Sequence, residues 1–188
     1  MKEFLNCLFF EILMRKSNLG ILVVHLLEDN LPMLTHESKS VGIGLEKVRE
    51  VLRAGTEARV PMFLTEGYGR KTTKKIYDGI RIFNPNLISV GLYPFGDNSF
   101  NDYIQKRGIQ RVILMGFNRV CCVKSAAQDI ISRELSFAIS DDLLFGNNST
   151  DCWLGFPKEK LETLSFYEKT GTLYSNYLEL IRDEFKHF

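Results

Sequence analysis

Continuously apolar stretches alternate along the chain with stretches in which apolar residues recur every three or four positions. The first kind includes GILVVHLL at 20–27, VPMFLTE at 60–66 and IQRVILMGF at 109–117. Such runs are typical of strands that are buried on both faces of a parallel sheet. The second kind includes VGIGLEKVREVLRAGTEA at 41–58 and CCVKSAAQDIISREL at 121–135, and it predicts amphipathic helices.

The remaining segments continue this alternation. NLISVGLY at 86–93 and LSFAISDD at 135–142 predict strands, and SFNDYIQKRG at 99–108 predicts a helix. The stretch at 157–185 has helical patterns that break near Gly171. Each pair of parallel strands needs a crossover connection, so the order predicts a three-layer α/β/α protein with a mostly parallel, doubly wound sheet.

Length and composition predict one domain. With 188 residues, 45% of them hydrophobic, residues 1–188 can bury one full core. Residues 1–17 carry apolar positions near helical spacing, interrupted by Asn6 and Glu11. This pattern favours a helix packed on the body or on a second subunit over a secretory segment or a membrane span. We therefore expect a homo-oligomer, a dimer or higher.

Charge and cysteine usage narrow the expected partners and compartment. A net charge of +1 provides no single-sign field that would steer the chain to nucleic acid or to a membrane, so neither is expected as a partner. Four cysteines without metal-ligand spacing indicate a reducing, cytoplasmic location.

The basic run at 70–75 falls in a segment expected to be an exposed loop, from about 68 to 80, and is either solvated or a clamp for phosphate or carboxylate. His36 and His187 are expected to be solvated.

Candidate reactive side chains follow three of the predicted strands. In a doubly wound sheet, such groups collect just past the carboxyl ends of the strands. They are His25, Glu28 and Asp29 after the first strand, Glu66 after the second, and Asn118 to Cys122 after the fourth. The helix that begins near Cys122 points its N-terminus at this crevice, and its partial positive charge would favour a thiolate. Cys122 is therefore the candidate nucleophile.

The clearest motif is GFNRVCCVKSAAQD at 116–129. It resembles the segment G-x-x-x-x-x-C-V-x-x-T-A-x-D of the isochorismatase-like cysteine hydrolases, the superfamily that includes the nicotinamidases. The resemblance places the nucleophile at Cys122 and leaves Cys121 as its inward or buried neighbour. ILVVHLLEDN resembles the opening strand of the family, with Asp29 at its later acidic position, and FAISDD resembles the fifth strand, ending in Asp141. The family fold and a subunit pairing through helices are what the resemblance implies.

Two members of the family's Asp, Lys and Cys triad are absent from this chain. His25 stands at the aspartate position. The lysine would fall near Ser89, which remains a candidate pocket residue, but no Lys or Arg occurs from Asn84 to Gln105. The family's metal pocket also has no counterpart in LTEGYGRKT, so no metal and no cofactor are expected.

A histidine at position 25 can replace the missing groups chemically. Imidazole titrates near neutral pH, so His25 could take the thiol proton of Cys122 and pass it to the leaving group. Because the cation would then reside on the base, we interpret the two losses as one coupled replacement. Glu28, Asp29 or Glu66 is a candidate to orient the ring.

The resemblance also implies an oxyanion site. Its donors would be the backbone amides of Asn118 and Cys122, with a cis peptide bond between Phe117 and Asn118.

Three functions stay open at this point. The chain is a metal-independent cysteine hydrolase acting on a small amide or related substrate, or a catalytically inactive relative that binds a small ligand or a protein partner. The third is a thiol-redox protein that uses Cys121 and Cys122, although adjacent cysteines rarely form a relaxed disulfide.

Overall fold

The computed structural model describes residues 18–36, 40–66, 70–78, 80, 87–90, 98–147 and 157–188. Its strands are β1 (Leu19–Val24), β2 (Leu34–Thr35), β3 (Met62–Thr65), β4 (Leu87–Val90), β5 (Arg111–Phe117), β6 (Ser136–Ser140), β7 (Leu144–Asn147) and β8 (Thr172–Tyr174). Its helices are α1 (Val41–Glu57), α2 (Asn98–Arg107), α3 (Cys122–Ser132), α4 (Pro157–Thr170) and α5 (Tyr177–Glu184). The predicted helix at 1–17 lies outside the described residues.

Parallel strands form the main sheet, in the order β4-β3-β1-β5-β6-β8. The chain runs outward from β1 to β4, returns to β5, and then runs outward to β8 in the other direction. The order therefore reverses between β1 and β5, which makes this pair the switch point of a doubly wound sheet. Strand β7 pairs in parallel with the end of β5 and antiparallel with β2.

Helices cover both faces of the sheet. Alternate residues of β1 point to opposite faces: Ile21 and Val23 belong to one buried cluster, Leu22 and Val24 to the other. The first cluster includes side chains of α1 and α5, and the second includes side chains of α2, α3 and α4. A strand buried on both faces must be apolar at every position, which explains the unbroken run in the sequence. The predicted three-layer α/β/α architecture is confirmed.

Three short strands were not predicted. β2, β7 and β8 have two to four residues each, too few to establish a period. The break near Gly171 was predicted, but it leads into β8 rather than directly into another helix. A Cβ at Gly171 would lie 2.4 Å from the ring of Phe137, so the turn packs tightly against the neighbouring strand.

The expectation of a wholly exposed loop at 68–80 is wrong for its centre. Thr72 and Thr73 are buried. Thr72 forms an antiparallel bridge with Leu27, and the amide of Thr73 donates a 2.8 Å hydrogen bond to the carbonyl oxygen of Leu26. The four basic side chains of the segment are exposed. The segment is therefore fixed by its backbone to the residues that follow β1, while its charges face solvent.

His36 is buried, contrary to expectation, whereas His187 is exposed. The ring of His36 packs on Phe145 with the ring centroids 5.1 Å apart, and Nε2 of His36 donates a 2.8 Å hydrogen bond to the carbonyl oxygen of Asp142. A Cβ at Gly44 would lie 2.5 Å from the imidazole, so the first turns of α1 can approach the ring only with a glycine there. This buried hydrogen bond links the end of β2 to the turn before β7, and it could not be read from the polar loop sequence.

Within the described ranges, no helix combines the length and the apolar character needed to cross a bilayer.

Candidate active site at the sheet switch point

The strands at the switch point bring two predicted site segments to neighbouring positions. In the parallel pair of β1 and β5, Val24 lies opposite Gly116. His25 follows directly after Val24, and the segment that leads to Cys122 follows after Gly116 and Phe117. The histidine and the turn before the candidate nucleophile therefore start from adjacent strand ends, as the doubly wound order requires.

His25 adopts a backbone conformation that is uncommon for residues other than glycine, with φ at 51°. Its amide donates a 2.9 Å hydrogen bond to Oγ1 of Thr65, and its carbonyl oxygen accepts a 3.1 Å hydrogen bond from Nδ2 of Asn30. Thr65 and Asn30 are both buried. A strained residue persists only where its surroundings hold it, and strain of this kind clusters at functional sites. The sequence pointed to His25 but not to the two residues that hold it.

A tight turn connects β5 to α3. Asn118 also has a positive φ, at 64°, and its carbonyl oxygen accepts hydrogen bonds from the amides of Cys121 and Val123, both at 3.1 Å. Cys121 is the N-cap residue and Cys122 the first residue of α3. The predicted helix start at the candidate nucleophile is thus confirmed.

Three neighbouring elements hold this turn in place. The carbonyl oxygen of Phe145 in β7 accepts hydrogen bonds from the amides of Asn118 and Arg119, at 2.9 and 3.2 Å. The Arg119 side chain is only 8% exposed, and its Nη1 donates a 2.8 Å hydrogen bond to Oδ1 of Asp141 after β6. The hydroxyl of Tyr167 in α4 donates to the carbonyl oxygen of Arg119. The turn is therefore fixed before any ligand binds.

The oxyanion geometry differs from what the resemblance implied. The amide of Asn118 is engaged with Phe145, so it would have to exchange that partner to bind a substrate oxygen. The expectation of a cis bond between Phe117 and Asn118 is wrong, because the described residues contain no cis peptide bond. The second donor that the resemblance implies, the amide of Cys122, lies in the first turn of α3.

The surroundings of Cys122 favour the protonated thiol. Burial is the largest of the causes that raise the pKa of Cys122 to about 11; the neighbouring Cys121 adds to the effect through its charge and a thiol hydrogen bond, while the backbone amide of Cys122 acts in the opposite direction. The expected favourable effect at the helix N-terminus is present but outweighed, since desolvation raises the pKa more than the backbone amide lowers it. Cys121 is not the buried neighbour that was expected either, because both cysteines are half-buried.

The candidate carboxylates divide into one buried and two exposed groups. Glu66 is 9% exposed; its Oε1 accepts a 2.7 Å hydrogen bond from the amide of Thr72, and its Oε2 accepts one of 3.1 Å from Nζ of Lys71. Lys71 is 74% exposed, so its ion pair with Glu66 contributes little to stability. The buried hydrogen bond from the amide of Thr72 is the contact that holds the segment. Glu28 and Asp29 are exposed in a 3-10 turn. Glu66 thus anchors the basic segment at the ends of β1 and β3.

Ser89 lies on β4, opposite Leu64 in the register of β3 and β4, and its side chain is outside the described part of the structure. Among the residues that the structure does describe, no three His, Cys, Asp or Glu side chains come together in a group that could hold a metal ion.

Comparison with solved structures identifies the fold. The MAR1 ribonuclease from Caenorhabditis elegans superposes with a TM-score of 0.70 at 18% identity, covering 92% of this chain and 88% of that one. A putative isochorismatase from Burkholderia xenovorans LB400 gives a TM-score of 0.72 at 12% identity, with 89% and 88% covered. The chain has the isochorismatase-like fold. The nicotinamidase SaPncA from Staphylococcus aureus shares this fold with a TM-score of 0.68 at 14% identity, over 85% of this chain and 99% of its own.

Sequence comparison adds nothing to this result, since no protein-family model and no curated protein matches the chain. One of the solved structures with the isochorismatase-like fold is named a ribonuclease and another a nicotinamidase. The fold therefore does not select a substrate, and the activity of this chain has to be argued from its own site.

Proposed function

We propose that this chain is a cysteine hydrolase of the isochorismatase-like superfamily that acts on a small amide or a related carbonyl substrate. Cys122 is the nucleophile, and His25 carries the proton. The observation that supports this proposal is the juxtaposition at the switch point: His25 follows directly after β1, and the adjacent strand β5 leads through a fixed turn to Cys122 at the start of a helix.

The chemistry requires two transfers at one carbonyl carbon. Sγ of Cys122 forms a bond to this carbon as the thiol proton passes to His25, and the C–N bond then breaks as the imidazolium protonates the leaving amine. Water attacks the resulting thioester, with His25 again taking a proton, and the acid product leaves as the thiol re-forms. Because the pKa of Cys122 is about 11, the proton has to move during the attack rather than before it. The mechanism therefore depends on general base catalysis and not on a preformed thiolate.

A second candidate function is a catalytically inactive relative that binds a small ligand or a protein partner. Two observations favour it: the raised pKa of Cys122 and the engagement of the Asn118 amide with Phe145. A site that is fixed and polar but not activated suits ligand binding without turnover. The two candidates share the same crevice and differ only in whether the thiol can be acylated.

Acylation by an activated ester distinguishes the two candidates. We expect p-nitrophenyl acetate to acetylate Cys122 in the wild-type chain, with a rate that rises with pH as the general base loses its proton. Cys122→Ser removes the acylated thiol. His25→Asn slows the reaction by about 10²- to 10⁴-fold, and asparagine tolerates the φ of 51° at this position, so the backbone is retained. Nitrophenol release and peptide mass mapping give the rate and the acylated residue.

The exposed terminal histidine provides the matched control. His187→Asn changes the same functional group far from the strand ends and should leave the rate unchanged. Equal acetylation rates in wild type, Cys122→Ser and His25→Asn would instead support the inactive, ligand-binding candidate.

We also propose that the protein acts in the cytoplasm as a homo-oligomer, a dimer or higher, and that it has neither a nucleic-acid nor a membrane partner. Support comes from the near-neutral charge, from cysteine usage and from the apolar residues at the N-terminus of the chain. Light scattering during gel filtration of the full chain tests the oligomeric state.

A further inference from the structure

We propose that Cys121 and Cys122 form a chelating dithiol site for monosubstituted trivalent arsenicals, in which one arsenic atom bridges the two sulfur atoms. This binding requires no hydrolysis, so it can be tested independently of the function proposed above.

The two thiols are adjacent in the chain and in space. Cys121 is the N-cap residue of α3 and Cys122 its first residue, and both are half-buried, so a small reagent can reach them. Their side chains are in hydrogen-bonding contact with each other. The two thiols therefore interact directly in the reduced protein.

The backbone that carries these cysteines is fixed. The amide of Cys121 donates to the carbonyl oxygen of Asn118 at 3.1 Å, and its own carbonyl oxygen accepts a 2.8 Å hydrogen bond from Ser125 within α3. Arg119, two residues before Cys121, is held by Asp141 and by the hydroxyl of Tyr167. A preorganised pair of ligands loses little conformational entropy on chelation, which favours binding.

Geometry favours a bridging atom over a direct disulfide. Relaxed disulfides have Cα atoms about 4.4 to 6.8 Å apart and an S–S bond of about 2.05 Å, whereas adjacent Cα atoms across a trans peptide lie about 3.8 Å apart. The peptide bond between the two cysteines is trans. A direct S–S bond would therefore strain the turn. An S–As–S bridge keeps the two sulfurs at a non-bonded distance, as in the reduced pair, and so fits the turn without such strain.

The reaction is a condensation that conserves oxidation states. With an arsine oxide, two S–H bonds and the As=O bond break, two S–As bonds form, and the oxygen leaves as water with both protons. Arsenic stays trivalent and no oxidant is needed. Because the net reaction starts from two neutral thiols, it is compatible with the protonated state of Cys122.

Phenylarsine oxide tests the site in the full chain. The background carries Cys7→Ser and Cys152→Ser, so that only the pair can react, and a phosphine keeps the thiols reduced. Intact mass should increase by one phenylarsenic group less two hydrogens, and ethanedithiol should reverse the change. Binding should weaken about 10²-fold or more in Cys121→Ser and in Cys122→Ser, because each leaves a single sulfur and the second attachment is lost.

Competition with alkylation provides a second measurement. One equivalent of phenylarsine oxide should protect both cysteines of the background protein from iodoacetamide. If a serine variant does not fold, as judged by circular dichroism, Cys121→Ala is used in its place. The protection of cysteines from iodoacetamide is then compared between this variant and the background protein, and that comparison alone tests the proposal. Two arsenicals on one chain, or equal affinity in the background protein and a single variant, would overturn the proposal.

Discussion

Val24 lies opposite Gly116 in the pairing of β1 and β5, and a Cβ added at Gly116 would be only 2.1 Å from the carbonyl oxygen of Val24. Gly116 also has a φ of +141°, which L side chains rarely adopt. The positive φ and the close approach of Val24 are two independent reasons why position 116 requires a glycine. Because of this close approach, His25 and the turn that leads to Cys122 begin side by side.

Gly116→Ala should therefore prevent stable folding. The new methyl group meets main-chain atoms of a central strand, which cannot move aside as a flexible side chain can. We expect a loss of about 4 kcal/mol or more in the free energy of unfolding, the range of exceptional single substitutions. Urea unfolding followed by circular dichroism measures it, or the soluble yield where no folded protein is recovered.

Gly108→Ala separates the dihedral cost from the steric one. Gly108 has a φ of +66°, but nothing lies within 4 Å of a Cβ added there. We expect this variant to lose only about 1 to 2 kcal/mol, the cost of a left-handed conformation for an L residue. If the two glycine variants were equally destabilised, the close approach of the strands would not be the cause.

The central strands and the helices α1 and α3 could be predicted from the sequence because each repeats one local pattern over many residues. The place of the site followed from the same alternation, since strand order alone brings the end of β1 next to the end of β5. His25 became a candidate because it interrupts an apolar run, and Cys122 because it stands at a predicted helix start within the motif at 116–129.

The contacts that hold these two residues could not be predicted in the same way. Thr65 is 40 residues from His25, and Tyr167 is 48 residues from Arg119, so no local spacing relates either pair. The pKa of Cys122 is a similar case. The sequence showed that Cys122 lies at a helix N-terminus, where the backbone amide lowers the pKa of the thiol. Only the fold shows that burial and Cys121 raise this pKa by more.

Tyr167→Phe should destabilise the protein through the turn before Cys122. The hydroxyl of Tyr167 donates to the carbonyl oxygen of Arg119, and both residues are buried, so removing the donor costs about 1 to 3 kcal/mol in the free energy of unfolding. Urea unfolding of the two proteins gives the difference.

Tyr103→Phe is the matched control for this substitution. The Tyr103 hydroxyl is also buried, yet it has no hydrogen-bond partner in the part of the chain that the structure describes. Its removal breaks no hydrogen bond in that part of the chain, so it should leave the free energy of unfolding unchanged or raise it. A loss as large as that of Tyr167→Phe would show that the ring, and not the hydrogen bond, carries the effect.

The pH dependence of alkylation should show whether Cys122 is activated. Only the thiolate reacts with iodoacetamide, and the pKa of Cys122 is about 11, so its labelling rate should rise about tenfold per pH unit from pH 7 to pH 10 without a plateau. Cys121→Ala removes the charge and the hydrogen bond of Cys121, so the midpoint should move to lower pH. Burial is the larger cause and remains, so the pKa should stay above that of an ordinary thiol. Site-specific rates come from peptide mass spectrometry at each pH. A plateau below pH 8 in the wild-type chain would contradict this expectation and would indicate a thiolate paired with the imidazolium of His25.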